Sequence, residues 1–313
     1  MEPSTNNLFN NGRRDPGDIP ESESGHCASK IALIRKKSDT PVKRNRQGEL
    51  EYLTFPLLEQ TGLVRHLFST RTGGVSRGVF ATMNLSYTRG DDREAVDENF
   101  RRIAGALGTK PERIVCSRQT HTINVRLVTE EDCGKGVVRE TDYDDVDGLI
   151  TSTAGIALCT LYADCVPLYF VDPVNGAIGL GHSGWRGTAA RMGRAVLKAM
   201  EEAFGTRPGD VLAAIGPSIC QDCYEVSQEV AQVFMQEFGQ EWKLFFRQGR
   251  EPLKYQLDLW EANRSVLLEA GILPEHLAVT DLCTCCNSEY LFSHRASQGK
   301  RGNLAAFLEL IKS

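Results

Sequence analysis

The sequence predicts an α/β or α+β domain built around mixed β-sheets. From residue 50 onward, short β-branched runs alternate with longer amphipathic runs, a pattern typical of these two fold classes. Several neighbouring strand candidates are only a few residues apart, which favours a mixed sheet because parallel crossovers need a dozen or more residues. The 313 residues, 41% hydrophobic and 25% charged, match a globular protein of one or two domains.

Strand candidates recur along the chain, with helix candidates between them. The predicted strands are 64–70, 123–128, 156–162, 167–171, 177–181, 211–215 and 277–281. The predicted helices are 94–107, 188–204, about 227–238 and 258–270. Asp91 or Asp92 supplies an N-cap for the first helix, and Gly108 ends it. The second helix repeats apolar residues on one face and ends at Gly205.

Residues 1–48 differ in composition from the rest of the chain. They hold nine Lys and Arg, six Asp and Glu, four prolines and a single aromatic residue, Phe9. Such a segment buries too little apolar surface to offset its ordering entropy. We therefore expect a flexible basic tail at 1–48 and one folded domain at 49–313. The net charge of −5 and the lack of aromatic residues in the tail lead us to expect no nucleic-acid partner.

The sequence predicts no membrane segment. The longest apolar stretch, 159–171, is interrupted by Asp164 and Pro167 and is shorter than the roughly 20 residues that a membrane helix needs. The apolar run at 31–34 is too short for a signal-peptide core of about 7 to 15 residues. We expect a cytoplasmic protein with no membrane partner, and composition leaves a monomer and a homodimer open.

One glycine pattern has the form of a dinucleotide fingerprint. GLGHSG, at 179–184, follows a predicted strand and precedes a predicted helix. The acidic residues about 20 positions later, Glu201 and Glu202, fall inside that helix instead of ending a second strand. We therefore expect no dinucleotide site.

A cysteine pattern near the C-terminal half has the residue types of a structural zinc knuckle. It consists of Cys220 and Cys223, followed some 60 residues later by Cys283, Cys285 and Cys286. The C-x-C-C spacing of the second group is unusual for zinc ligands. The sequence therefore favours buried thiols that lie near one another.

Three turn-rich segments each carry one soft metal ligand: His121 in QTH, Cys165 in ADC and His182 in GHSGWRG. One cysteine and two histidines suit zinc, and a set of three protein ligands leaves the fourth position to water or substrate. The set predicts a catalytic metal site. Separations of 44 and 17 residues do not by themselves bring the ligands together.

Two arginines near these segments are candidates for binding phosphate. Arg186 precedes the helix predicted near Thr188, and a helix N-terminus beside an arginine suits an anion. Arg71 lies beside the glycine pair at 73–74, which lets the backbone approach a ligand closely; a strand-ending turn with a solvated arginine is the alternative. His66, on the preceding strand, either lines a cleft or packs, and the sequence favours packing.

Together these segments resemble the YfiH/DUF152 family of laccase-domain or polyphenol-oxidase proteins, which are also described as zinc-dependent purine nucleoside phosphorylases. The resemblance covers about residues 60–313. It rests on STRTGGVSRGVFATMNLSYTRGDD, RQTH, DGLITS, LYADCVPLYFVD, GHSGWRGT, IGPSICQDCYEV and the terminal CT, FSHR and GNLAAF. It implies a single catalytic domain, folded as a layered α/β sandwich with mixed sheets, and a metal site in a cleft.

The resemblance also implies ligands, cofactor and reaction. The family's metal ligands fall on His121, Cys165 and His182, with zinc as the cofactor. The implied reactions are phosphorolysis of adenosine, inosine, guanosine and methylthioadenosine, and deamination of adenosine, so purine nucleosides and phosphate are the expected partners. Cys165, Asp164 and Arg186 are the expected catalytic residues. The expected substrate- or phosphate-binding residues are Arg71, Asn84, Gln119 and Arg295.

Some positions depart from the family pattern or leave alternatives open. Ser293-His294-Arg295-Ala296 replaces a common Ser-Tyr-Arg-Arg, Asn303 stands where arginine is common, Cys220 replaces a glycine, and Cys285 and Cys286 are extra. These changes concern substrate preference more than the metal site. Asp164 either orients a ligand or relays a proton, or it is a turn residue that satisfies nearby backbone.

Other functions remain open on the sequence. A multicopper centre is disfavoured by six histidines without a His-x-His pair, and copper is expected only as an adventitious occupant. In an amide hydrolase, Cys165 would be the nucleophile, with His182 or His121 as its base. A metal-stabilised nucleotide-binding module would bind nucleosides without turnover.

Overall fold

The computed structural model describes residues 31–311 and folds them into fifteen strands and seven α-helices. The strands are β1 (Lys43–Gln47), β2 (Leu50–Thr54), β3 (Val64–Ser69), β4 (Ile114–Cys116), β5 (Val125–Leu127), β6 (Gly148–Thr151), β7 (Ala157–Tyr162), β8 (Val166–Asp172), β9 (Ala177–Ser183), β10 (Leu212–Ile215), β11 (Glu225–Ser227), β12 (Phe246–Gln248), β13 (Lys254–Leu257), β14 (Leu277–Val279) and β15 (Leu304–Leu310). The helices are α1 (Pro56–Glu59), α2 (Arg93–Leu107), α3 (Trp185–Ala189), α4 (Met192–Phe204), α5 (Gln228–Phe238), α6 (Leu259–Glu269) and α7 (His294–Ser297).

Two six-stranded mixed sheets pack face to face. The first has the order β1-β2-β3-β15-β7-β4 and the second β14-β10-β8-β9-β6-β5, and a small antiparallel sheet has the order β11-β13-β12. Strands β7 and β15 pack on β9. Helix α2 covers the outer face of the first sheet, and α4 and α6 cover the outer face of the second. The predicted layered sandwich with mixed sheets is confirmed.

The side-chain alternation of β8 shows why its sequence is apolar throughout. Leu168 and Phe170 pack in the core beneath the helices, while Tyr169 and Val171 pack in the core between the two sheets. Successive side chains of a strand point to opposite faces. A strand covered on both faces therefore reads as a continuous apolar run instead of an alternating one.

The glycines of GLGHSG serve helix packing. A Cβ on Gly179 would lie 2.8 Å from Val196 Cγ1 and 2.9 Å from Met200 Sδ, so the missing side chain lets α4 lie directly on β9. Strand β9 is antiparallel to both of its neighbours, β8 and β6. Strand β8 lies between β9 and β10, the strand that follows α4, whereas a dinucleotide-binding unit pairs the two strands that its helix joins.

All seven predicted strands and three of the four helices lie close to their predicted bounds. The prediction of one helix over 188–204 is wrong. Helix α3 begins at Trp185. The helical conformation is interrupted at Arg191, which has a left-handed φ of 62°, and α4 starts at the next residue. The N-cap of α2 is Asp92, whose side chain accepts a hydrogen bond from Glu94 N. No helix in the described part of the chain is long and apolar enough to span a membrane.

The boundary expected at residue 48 lies too late. Strand β1 pairs with β2 in the first sheet, and Val42 is buried in the core. Arg35 forms an ion pair with buried Asp281 at 2.5 Å. These contacts supply the burial that composition alone did not reveal, so residues 31–48 belong to the folded unit. Residues 1–30 of the expected tail lie outside the described residues.

Candidate functional site

Three side chains from separate segments meet at one end of the second sheet. His121 follows β4, Cys165 lies in the turn between β7 and β8, and His182 lies on β9. Their donor atoms all lie within 4.8 Å of one another. Cys165 Sγ is 3.9 Å from His121 Nε2, and the two imidazole centroids are 5.0 Å apart. The fold thus brings together the three residues that the sequence singled out.

The local backbone allows this close approach. His121 and Asp164 have left-handed φ values of 69° and 89°, conformations that are uncommon for non-glycine residues. Gly184 leaves room for the ligands, because a Cβ there would lie 3.0 Å from His121 Cδ2 and 3.1 Å from Cys165 Sγ. A side chain at 184 would therefore have to displace His121 or Cys165 by a few tenths of an ångström.

Asp147 supports two of the three candidate ligands. It is fully buried immediately before β6, and its Oδ1 lies 2.7 Å from His182 Nδ1 and accepts from His121 N at 3.1 Å. Its Oδ2 accepts from the backbone N–H groups of Thr120, at 2.9 Å, and Thr122, at 3.1 Å. A carboxylate behind a histidine fixes the ring and leaves the other nitrogen for a metal. Sequence reasoning missed this residue, although it begins the DGLITS motif.

Cys165, His182 and Asp147 shift one another's pKa values. Burial raises the pKa of the Cys165 thiol, but the charge of His182 and hydrogen bonds from both histidines outweigh burial and lower it to about 6. Burial lowers the pKa of His182, but the Cys165 thiolate and Asp147 raise it to about 9. Burial also opposes ionisation of Asp147, whose pKa is nevertheless lowered by His182. These shifts pair a Cys165 thiolate with a protonated His182 ring, whose proton a bound metal ion would replace.

This donor set fits one metal ion. A thiolate and two imidazoles are zinc ligands, and three protein ligands leave one coordination position for another group. His182 is buried, Cys165 is half-buried and His121 is exposed. The open side of the site therefore lies toward His121, where a small molecule can reach the cluster.

The three predicted anion-binding arginines differ in the groups that contact their guanidinium groups. Arg186 is exposed and lies 4.3 Å from the Trp185 ring centroid, and no other described side chain pairs with its guanidinium. Arg71 donates to the carbonyls of Ala81 at 3.1 Å and Ser288 at 2.6 Å. Arg186 lies within the first turn of α3, and the expectation that it precedes the helix is wrong.

Arg295 is also committed to backbone. Its guanidinium donates to the carbonyl oxygens of Cys223, at 3.0 Å, and Glu225, at 2.8 Å. Asp164 accepts from Arg295 N at 2.7 Å and from Thr284 Oγ1 at 2.6 Å. This pattern matches the interpretation of Asp164 as a turn residue that satisfies neighbouring groups.

The remaining predicted residues hold the surrounding loops. Gln119 pairs through both amide atoms with the backbone of Leu161. Asn84 accepts from the N–H groups of Ser86 and Asn303. His66 is buried, and its Nε2 accepts from Phe55 N at 2.8 Å, so the expectation that it packs is confirmed.

A cationic group that the sequence did not indicate lies beside the cluster. Arg301 is half-buried, and its Nε is buried without a hydrogen-bond partner among the described residues. Burial and the charge of Arg89 lower the pKa of Arg301 to about 10, while Asp164 and Cys165 act on it in the opposite direction. Its terminal nitrogens contact the Gly302 carbonyl, the Asn303 side chain and His294 Nδ1, so Arg301 adds a positive charge whose field reaches Cys165. No motif in the sequence marks it.

Comparison with known proteins places this geometry among characterised relatives. The family model described as "Multi-copper polyphenol oxidoreductase laccase" matches residues 65–311. Purine nucleoside phosphorylase YlmD from Geobacillus stearothermophilus is 40% identical over 241 residues, which cover 77% of this chain and 88% of the relative. Adenosine deaminase RL5, from an unknown prokaryotic organism, is 34% identical over 230 residues, covering 73% of this chain and 87% of the relative. The crystal structure of Geobacillus stearothermophilus YlmD superposes with a TM-score of 0.80 at 36% identity, covering 87% of this chain and all of that one.

Proposed function

The chain belongs to the multi-copper polyphenol oxidoreductase laccase family, and we propose that it is a zinc-dependent purine nucleoside phosphorylase that also deaminates adenosine. The observation that carries the proposal is the open cluster of His121, Cys165 and His182, supported by Asp147. Relatives covering most of this chain bear the names purine nucleoside phosphorylase and adenosine deaminase. We assign adenosine, inosine, guanosine and methylthioadenosine as substrates.

His121, Cys165 and His182 would hold the zinc ion. Bound by three protein ligands, zinc supplies a Lewis acid and a water whose pKa is lowered to about 7. The contribution of the chain itself is orientation. Asp147 fixes the His182 ring and the backbone of the His121 turn, so both imidazoles stay aimed at one point. We expect copper at this Cys/His site only as an adventitious occupant, admitted by the higher affinity of N and S ligands for copper.

Phosphorolysis requires phosphate to be held against the anomeric carbon of the nucleoside. A phosphate oxygen forms a bond to that carbon while the bond from carbon to the base nitrogen breaks, and the base leaves with the bonding electrons. Within residues 31–311, the Arg186 guanidinium contacts the Trp185 ring and pairs with no other side chain, and Arg301 Nε has no hydrogen-bond partner. We assign phosphate to these two, because positioned cations stabilise developing charge.

The other binding residues act through the walls of the site. Arg71 and Arg295 spend their donors on backbone carbonyls. Asn84 and Gln119 likewise order the chain around them. We propose that these four residues position the loops that contact the nucleoside, and that Asp164 holds Arg295 and Thr284 in place beside Cys165.

The test measures free base and ribose 1-phosphate from inosine and adenosine, together with ammonia from adenosine. His121→Ala and Cys165→Ala should lose bound zinc and both activities. His276→Ala is the matched control, because His276 lies outside the cluster and should leave activity and zinc unchanged. Full turnover by His121→Ala and Cys165→Ala would refute the metal assignment.

Cys165 beside His121 also favours a cysteine amide hydrolase as a second candidate, because a thiolate next to an imidazole is a nucleophile–base pair. The two functions make opposite predictions for alkylation. A zinc-bound thiolate resists alkylation until the metal is removed. Rapid labelling of Cys165 with zinc still bound would favour the hydrolase. A separate outcome, nucleoside binding without turnover, would favour a nucleotide-binding module.

A further inference from the structure

Four cysteines form a second cluster away from the His121 site. Cys220, Cys223, Cys283 and Cys286 have sulfur atoms that all lie within 4.8 Å of one another. Cys220 and Cys283 are buried, and the other two are half-buried. We propose that these four cysteines bind a single zinc ion as a structural site.

The distances fit a tetrahedron of thiolates around one ion. Zinc–sulfur bonds of about 2.3 Å place the sulfurs of a tetrahedral site about 3.8 Å apart. Cys220 Sγ lies 4.0 Å from Cys286 Sγ, and Cys223 Sγ lies 3.5 Å from Cys286 Sγ. The sulfurs therefore surround a space of the right size for one metal ion.

The structure also corrects the spacing inferred from sequence. The members are Cys220-x-x-Cys223 and Cys283-x-x-Cys286, and Cys285 does not belong to the group. The C-x-C-C pattern that argued against ligands is thus a C-x-x-C pair with one additional cysteine inside it. Two C-x-x-C pairs are the usual ligand arrangement of a four-cysteine zinc site.

Two backbone N–H groups point at one of the four sulfurs. Cys283 Sγ accepts hydrogen bonds from the backbone N–H groups of Cys220, at 3.2 Å, and Cys286, at 3.4 Å. Such donors orient metal-bound sulfur and stabilise its charge. The Lys36 ammonium is close enough to Cys220 and Cys286 to interact with their charges. Its positive charge offsets part of the net negative charge of four thiolates and one divalent ion.

The site would join two segments that support the His121 cluster. The segment with Cys220 and Cys223 holds Arg295 through the Cys223 carbonyl, and Ile219 N donates to Asp164 O at 3.0 Å. The segment with Cys283 and Cys286 contributes Thr284, which donates to the Asp164 carboxylate. Without the ion, the two segments are joined at this point only by hydrogen bonds and packing.

The first experiment counts metal in the full-length chain. Native mass spectrometry and elemental analysis of wild type should give about two zinc ions per chain. His121→Ala should retain one zinc ion, and Cys220→Ser and Cys283→Ser should each lose one without losing the other. Cys285→Ser is the matched control and should keep both. No zinc retained by His121→Ala, a second ion other than zinc, or loss of metal from Cys285→Ser equal to that of Cys220→Ser would overturn the proposal.

Cobalt substitution provides a second readout, made on the wild type and on His121→Ala. Cobalt(II) replacing zinc should give the strong thiolate charge-transfer absorption of a four-sulfur site, and that absorption should persist in His121→Ala. Intact mass under denaturing conditions should show all ten cysteines reduced. Removal of the second ion should lower Tm by roughly 10 °C, since bound metal stabilises only the folded state. Disulfides between the two pairs in freshly purified protein would refute the site.

Discussion

Asp147→Asn tests how much the carboxylate behind the candidate metal ligands contributes to the site. The asparagine keeps the shape of the side chain but replaces one carboxylate oxygen with an amide nitrogen. In the wild type, Oδ1 serves His182 Nδ1 and His121 N, and Oδ2 serves Thr120 N and Thr122 N. Whichever way the amide turns, one pair of donors faces an NH₂ group that accepts nothing.

The size of the effect follows from those contacts. Each buried donor left without a partner costs about 1–3 kcal/mol, and removal of a supporting carboxylate costs about 10–100-fold in metal affinity or activity. A 100-fold loss corresponds to about 2.7 kcal/mol. We therefore expect Asp147→Asn to bind zinc about 10–100-fold more weakly while the chain still folds.

The assay is competition for zinc between the protein and a chromophoric chelator at pH 7.5. Asp145→Asn is the matched control, because Asp145 is exposed and lies two residues away. Its carboxylate accepts hydrogen bonds from Thr120 Oγ1 and Asn124 Nδ2, and its carbonyl accepts from Asn124 Nδ2. Its zinc affinity should stay within about twofold of wild type. Equal zinc affinities for Asp147→Asn and wild type would show that Asp147 does not position His182.

Three further changes test other contacts. Gly184→Ala should lose most bound zinc, because its Cβ would lie about 3 Å from both His121 and Cys165; Gly105→Ala, in open space on α2, should bind zinc normally, and the reverse ranking would refute the packing argument. His66 has its pKa lowered to about 4 by burial, so its contribution to the free energy of unfolding is complete above about pH 6.5, falls by about 2 kcal/mol at pH 5 and is lost near pH 4. In denaturant titrations, the stability of wild type should fall by about 2 kcal/mol more than that of His66→Gln between pH 7 and pH 5; equal losses would refute the role of His66. Arg301→Met should raise KM for phosphate at least tenfold and leave zinc content unchanged, whereas an unchanged KM would remove Arg301 from the phosphate site.

The sequence predicted elements that carry their own local signals. Helix α2 has an N-cap at Asp92 and an αL glycine at Gly108, and β8 is apolar on both faces. Strands β4, β6 and β11–β13, of three or four residues each, carry little periodicity and were missed, as was the seven-residue β15. Residues 31–48 were assigned to the tail because their partners, such as Asp281 and β2, lie far along the chain or across a turn.

The candidate site divides in the same way. His121, Cys165 and His182 could be chosen by residue chemistry and by resemblance, since each lies in a recognisable motif. Asp147 and Arg301 could not, because their importance depends on which atoms the fold places beside them. The spacing of the four-cysteine cluster was misjudged for the same reason: only the fold shows that Cys286, and not Cys285, faces Cys220 and Cys223.

The most direct test of the proposed function is the product balance from inosine with zinc-loaded wild-type protein, measured with and without phosphate. We predict hypoxanthine and ribose 1-phosphate in equal amounts, with no hypoxanthine released when phosphate is omitted. Free ribose in place of ribose 1-phosphate, or no base released from any purine nucleoside despite bound zinc, would contradict the assignment of a phosphorylase.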